Sequence, residues 1–245
     1  MKKILLIALL FVTAFANAQE EENSFATDDK TPLAVKYVIL DLVTKGVTKD
    51  GITTYTLPNG EVVSAPVDDQ DKQKELLFVL LAYNTITEIC NVPFGSTYEK
   101  TIEILKNKYG DYEHLFSSKE DIVYNNKKYA GVDFNNMHFL FQSDGSRSYF
   151  NGAVFCIDCK TKSEAIIVKQ RLHDILSKKY IRFTNLDKDG NYMSIGGISP
   201  VPTADKSNFG VSIDIKDYGK DGLMLGRPYG VRLFYGPYQY VNEEF

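Results

Sequence analysis

Residues 96–110 read Ser-Thr-Tyr-Glu-Lys-Thr-Ile-Glu-Ile-Leu-Lys-Asn-Lys-Tyr-Gly. Ser96 followed three residues later by Glu99 has the form of a capping box, in which a hydroxyl accepts an early helical N–H and the glutamate reaches back. Tyr98, Ile102, Leu105 and Tyr109 then recur at spacings of four, three and four, which places them on one helical face. Gly110 follows, the residue that enters a left-handed stop at least cost. A second segment repeats the design: Thr161-Lys162-Ser163-Glu164 as a capping box, then Ala165, Val168, Leu172, Ile175 and Leu176 facing inward, with an end near Tyr180.

Each helix precedes strand-like sequence. After the first come 122–124, 127–134, 137–141 and 148–157, divided by turn signals at Asn125-Asn126, Asn135-Asn136 and Asp144-Gly145. Met137, Phe139 and Phe141 alternate with His138, Leu140 and Gln142, the period of a sheet with one drier face. After the second come 192–198, 210–215 and 230–241. The order predicts an α+β fold: antiparallel sheet with helices on one face, in two αβββ units over 91–160 and 161–245.

Upstream, 34–67 reads as β. Residues 35–43 are rich in branched side chains, and Asp50-Gly51 and Asn59-Gly60 supply turns, so a small antiparallel meander is expected. Asp68 and Asp69 stand where acids favour a helix start. The apolar run 76–83 allows a helix or a strand on periodicity alone; its Lys- and Glu-rich lead-in favours a helix buried on most sides. These elements make up an N-terminal unit, 31–90.

The chain opens with Met-Lys-Lys, an apolar stretch 4–12, and Ala16-Asn17-Ala18 before Gln19. A basic start, a short apolar core and small residues at the cut describe a secretory signal peptide over 1–18, cleaved between Ala18 and Gln19. No cysteine follows the cut, so no lipid anchor is expected. Residues 19–30 are acidic and polar, composition that cannot bury enough apolar surface to order itself, and read as a tether. Without Lys2 and Lys3, 26 basic residues face 32 acidic ones. That balance argues against nucleic acid or an anionic membrane as partner, since both need clustered Lys and Arg. No later segment is long enough to span a bilayer, which takes ~20 apolar residues. The expected location is the periplasm or the medium.

Pro93-Phe94-Gly95-Ser96 entering a helix that stops at Tyr109-Gly110, followed by Tyr129-Ala130-Gly131-Val132-Asp133-Phe134 and an alternating strand, resembles a class of small exported bacterial proteins. Their helix-plus-antiparallel-sheet repeats are similar to those of the β-lactamase inhibitor protein and of small outer-membrane assembly lipoproteins. The resemblance implies a sheet that presents one face to a partner protein. The chain departs from the lipoproteins in lacking an acylated cysteine, and no functional residue carries over.

Cys156 and Cys159 form the one reactive spacing. They close a predicted strand before a helix, where a helix N-terminus can lower a thiol pKa. Free or buried thiols, a structural disulfide, a redox pair and a metal site are all open to them; the aromatic-Cys-Gly-Pro-Cys string of thioredoxin-like proteins is absent. Cys90 reads as a small buried hydrophobe. His114, His138 and His173 show no metal-binding spacing, so no metal or cofactor is expected. Asp187-Lys188-Asp189-Gly190-Asn191 begins like a calcium loop but lacks its later glycine and glutamate, and reads as a turn at Asp189-Gly190. Strings for a nucleophile elbow, a phosphate loop or a zinc protease do not occur. Tyr229, Phe234, Tyr235, Tyr238 and Tyr240 crowd the C-terminus; they suit either a binding surface or ordinary sheet packing. The function expected is a non-catalytic exported module binding a protein or envelope component through an open sheet face, with a thiol-disulfide redox protein using Cys156 and Cys159 as the alternative.

Overall fold

The structure, a computed structural model, describes residues 31–143, 148–188, 191–200, 207–219 and 226–236. The leader read over 1–18, the tether over 19–30, the turns at Asp144-Gly145 and Asp189-Gly190, and Tyr238 and Tyr240 lie outside the described residues. The fold is α+β, with antiparallel sheets of three, two and seven strands.

The first element corrects the β reading of 35–43: α1 spans Leu33–Lys45. Ala34, Val35, Val38, Ile39 and Leu42 are buried at helical spacing, so their tertiary contacts outweigh the β preference of branched side chains. The meander follows as β1 (Val47–Lys49), β2 (Ile52–Thr56) and β3 (Val62–Pro66), in that order in the sheet. The apolar run is helical: α2 spans Gln70–Asn84, capped by Asp69, whose carboxylate accepts the N–H groups of Asp71 and Lys72. Leu76, Leu77, Leu80 and Leu81 are buried, while Val79 is 43% exposed, so the helix is amphipathic rather than enclosed. Together with Tyr55, Leu57 and Ala65 these residues form one core, which Ile181 and Ile198 join to the rest of the molecule. Asn84 reinforces that seam by accepting the buried Ile181 N–H at 2.8 Å.

After the two-stranded hairpin of β4 (Glu88–Ile89) and β5 (Val92–Pro93), α3 spans Tyr98–Tyr109. Its cap is Thr97, not Ser96, and Thr97 Oγ1 accepts the Lys100 N–H. Ser96 is held outside the helix because its carbonyl accepts the Phe150 N–H at 2.7 Å. Gly110 ends the helix at φ +82, as its position suggested.

The hairpin of β6 (Asp121–Tyr129) and β7 (Val132–Ser143) turns at Ala130-Gly131, both at positive φ. Asn125-Asn126 and Asn135-Asn136 are therefore inside strands rather than turns. Asn125 faces Asn136 across the ladder, and their side chains bond at 2.8 Å. Asn126 takes φ +51 within the strand, a conformation asparagine tolerates. β8 (Ser148–Cys159) completes the first unit, and α4 (Lys162–Leu176) begins the second. The α4 cap is the expected one: Thr161 Oγ1 accepts the Glu164 N–H, and Glu164 reaches back to the Lys160 N–H. Four strands follow rather than three: β9 (Thr184–Lys188), β10 (Asn191–Ile198), β11 (Phe209–Asp217) and β12 (Tyr229–Tyr235).

The seven strands run β6-β7-β8-β12-β11-β10-β9, antiparallel throughout. Each meander contributes its last strand to the join, β8 to β12, so the two units make one continuous sheet. The main core fills one face, with Phe134, Met137, Phe139, Phe150, Phe155, Ile213, Leu233 and Tyr235 under Leu105 of α3 and Ala165, Leu172 and Leu176 of α4. The outer edge of β6 is closed by the segment after α3: Glu113 N–H bonds Val123 O, and Ser117 Oγ accepts Val123 N–H. That cover removes a free strand edge. Among the described residues, no helix is long and apolar enough to cross a membrane.

Candidate functional site

Strand register decides which residues reach the sheet face opposite α3 and α4. Alternation puts His138, Leu140 and Gln142 of β7 there, because Met137, Phe139 and Phe141 fill the core. Ladder pairing adds Val154, which faces His138 on one side and Phe234 on the other, and then Cys156 facing Arg232, itself facing Asp214.

Leu140, Val154 and Phe234 are all half-exposed and form an apolar centre. Two ion pairs and a histidine–carboxylate hydrogen bond lie on the same face. His138 Nδ1 lies 2.7 Å from Asp121 Oδ2. Arg232 holds Asp214 with two bonds, Nε to Oδ1 at 2.9 Å and Nη2 to Oδ2 at 2.6 Å, and its guanidinium stands 4.9 Å from the Phe234 ring centre. Arg227 donates to Asp158 Oδ2 at 2.6 Å. A bidentate guanidinium–carboxylate pair is directionally rigid, so the side chains around the apolar centre are held in place by their partners.

The C-terminal aromatics separate accordingly. Phe234 belongs to this face. Tyr235, its neighbour, points the other way and is 1% exposed in the core, which removes it from any binding surface. Tyr229 packs on the core side, half-buried.

The same alternation governs the thiols. Cys156 and Cys159 both lie on β8, three residues apart, so they project to opposite faces. In extended chain that spacing is about 10 Å between Cα atoms, beyond the roughly 7 Å a disulfide reaches. Both are free, as is Cys90. Burial pushes the thiols of Cys90, Cys156 and Cys159 up to about 11, so none is an activated thiolate at neutral pH. Cys90 is buried, with Sγ 3.2 Å from the Tyr109 hydroxyl. Cys159 precedes α4, yet its 1% exposure denies it a reaction partner. In the native protein at pH 7, Cys156 should react with a disulfide reagent at least about tenfold more slowly than an unhindered thiol, and Cys90 and Cys159 only after unfolding. Time-resolved labelling with mass detection checks this; rapid double labelling would contradict it.

One polar cluster arises only in three dimensions. Lys169 and His173 of α4 meet Ser194 of β10 and Asn185 of β9: Lys169 Nζ lies 2.9 Å and His173 Nδ1 3.1 Å from Ser194 Oγ. A serine between a lysine and a histidine invites comparison with a nucleophile and its base. The geometry argues otherwise. Ser194 Oγ donates to Asn185 Oδ1 at 2.7 Å, not to a base, and Ser194 is 0% exposed. Burial lowers the pKa of Lys169 and of His173. The cluster satisfies polar groups beneath α4 and offers no route to a substrate. Sequence reasoning had no local signal for it, since its four residues come from three elements.

The histidines are thus dispersed: His138 on the sheet face, His173 beneath α4, and His114 against Tyr112 with ring centres 4.3 Å apart. No family model, curated protein or solved structure matches the chain.

Proposed function

We propose that the protein is an exported, non-catalytic binding module that takes a protein or cell-envelope ligand on the sheet face opposite α3 and α4. The observation that carries this reading is the apolar centre of Leu140, Val154 and Phe234, flanked on the same face by the His138–Asp121 hydrogen bond and the ion pairs Asp214–Arg232 and Asp158–Arg227. An apolar middle with a polar rim is the anatomy of a protein interface, and a paired rim gives orientation without leaving buried charge uncompensated. The resemblance through 93–96 and 129–134, which implies a sheet presented to a partner, supports the same reading. The leader over 1–18, with its cut after Ala18, supports export.

Val154 is the residue to change, because it stands mid-strand on this face without touching the core. Val154→Arg in the mature chain used as bait should lose the ligands that wild type retains from envelope extract, at a melting temperature within a few degrees of wild type. Retention of every ligand by a folded Val154→Arg protein would refute the reading.

A further inference from the structure

Away from the sheet face, a cavity of about 580 Å³ lies between α1, the end of β2 and the segment after α4. Its charged lining is Asp41, Lys45, Lys178 and Arg182, an excess of two positive charges in a chain of net −4. Asp41 is already committed: it is 1% exposed, one oxygen accepts the Tyr55 hydroxyl, and the other lies 2.9 Å from Lys45 Nζ. Among the described residues, Lys178 and Arg182 have no carboxylate partner.

Arg182 makes the case specific. Its backbone sits at φ +50, a left-handed conformation that non-glycine residues adopt at a cost and that clusters at functional sites. Its guanidinium is held 5.1 Å from the Tyr37 ring centre. Its Nε is buried and has no hydrogen-bond partner. Nε is out of reach of a ligand in the cavity, so an anion there would meet the outer Nη groups of Arg182, which lines the cavity. Tyr55, Tyr180 and Phe183 supply aromatic walls.

We infer that this cavity binds a small organic anion, a carboxylate or phosphate on an apolar or ring-bearing body, with Arg182 as the anion's principal donor and Lys178 as supporting charge. The volume falls in the range of small-molecule sites, roughly 300–1,000 Å³. The site is separate from the sheet face and stands or falls independently of it.

The test is calorimetric titration of the mature protein with benzoate and phenyl phosphate, and with benzyl alcohol as the neutral counterpart. At least one anion should bind and benzyl alcohol should not; which anion binds distinguishes carboxylate from phosphate. Arg182→Asn keeps a residue that accepts positive φ, and should weaken binding about tenfold or more, the loss expected of one charge-assisted bond. Lys178→Gln, at an exposed position, should weaken it a few-fold through lost charge alone. Failure of both anions to bind, or binding unchanged by both substitutions, would overturn the inference.

Discussion

Phe155→Ala should cost about 3–5 kcal/mol, near the upper limit for a core aromatic truncation. Phe155 is 0% exposed on β8, in the middle of the seven-stranded sheet, with Met137 opposite it on β7 and Leu233 on β12. Its ring meets Tyr129, Phe134, Phe139 and Tyr235 at centroid separations of 5.2, 5.4, 5.7 and 5.8 Å. The backbone on both sides is locked in ladders, so the strands cannot close over the void, and the aromatic neighbours lose edge contacts that add to simple burial. Urea unfolding should show the midpoint falling at nearly unchanged slope. A loss below about 1 kcal/mol would mean that the two meanders do not share this core.

Tyr55→Phe should cost about 2–3 kcal/mol although it removes a single oxygen. Tyr55 is 4% exposed, and its hydroxyl donates to the buried Asp41 carboxylate. Without it, among the described residues Asp41 keeps only the Lys45 ammonium, on a side chain 66% exposed. Burial first, and then Asp41, push the Tyr55 hydroxyl far above its ordinary value of 10. An acid whose folded pKa is raised holds its proton in the native state while the unfolded chain releases it. This contribution is therefore whole below pH 10 and lost as pH rises above 10. Wild type should lose stability more steeply than Tyr55→Phe across that range. Equal slopes in denaturant titrations from pH 9 to about 11 would contradict the assignment.

How far the sequence discloses this molecule depends on whether a signal is local. The helix α3 could be read because cap, apolar stripe and stop lie within fifteen residues of each other, and α4 from its cap and stripe, although it stops at Leu176 rather than near Tyr180. α1 escaped because Pro32 offers no side-chain cap and Val35, Val38, Ile39 and Leu42 are mostly β-branched; their helical spacing was the cue. The asparagine pairs misled because asparagine tolerates positive φ within a strand as well as in a turn, whereas Ala130-Gly131 carried the reversal. Period two alone separates Phe234 from Tyr235 and Cys156 from Cys159, so the faces of these residues followed once the strands were placed. The cavity had no such cue. Asp41, Tyr55 and Arg182 come from three distant segments, and only packing of the N-terminal unit against the end of α4 assembles them.

We propose that a partner docks on the face around Val154. The most direct measurement is photocrosslinking in the cells that make the protein, with a photoreactive phenylalanine at Leu140 or Val154, and at Glu103 and Arg171 on the exposed sides of α3 and α4 as controls. Discrete adducts are expected from the two sheet positions and none of the same mass from the helix positions. Adducts from Glu103 and Arg171 alone, or none from Leu140 and Val154, would contradict it.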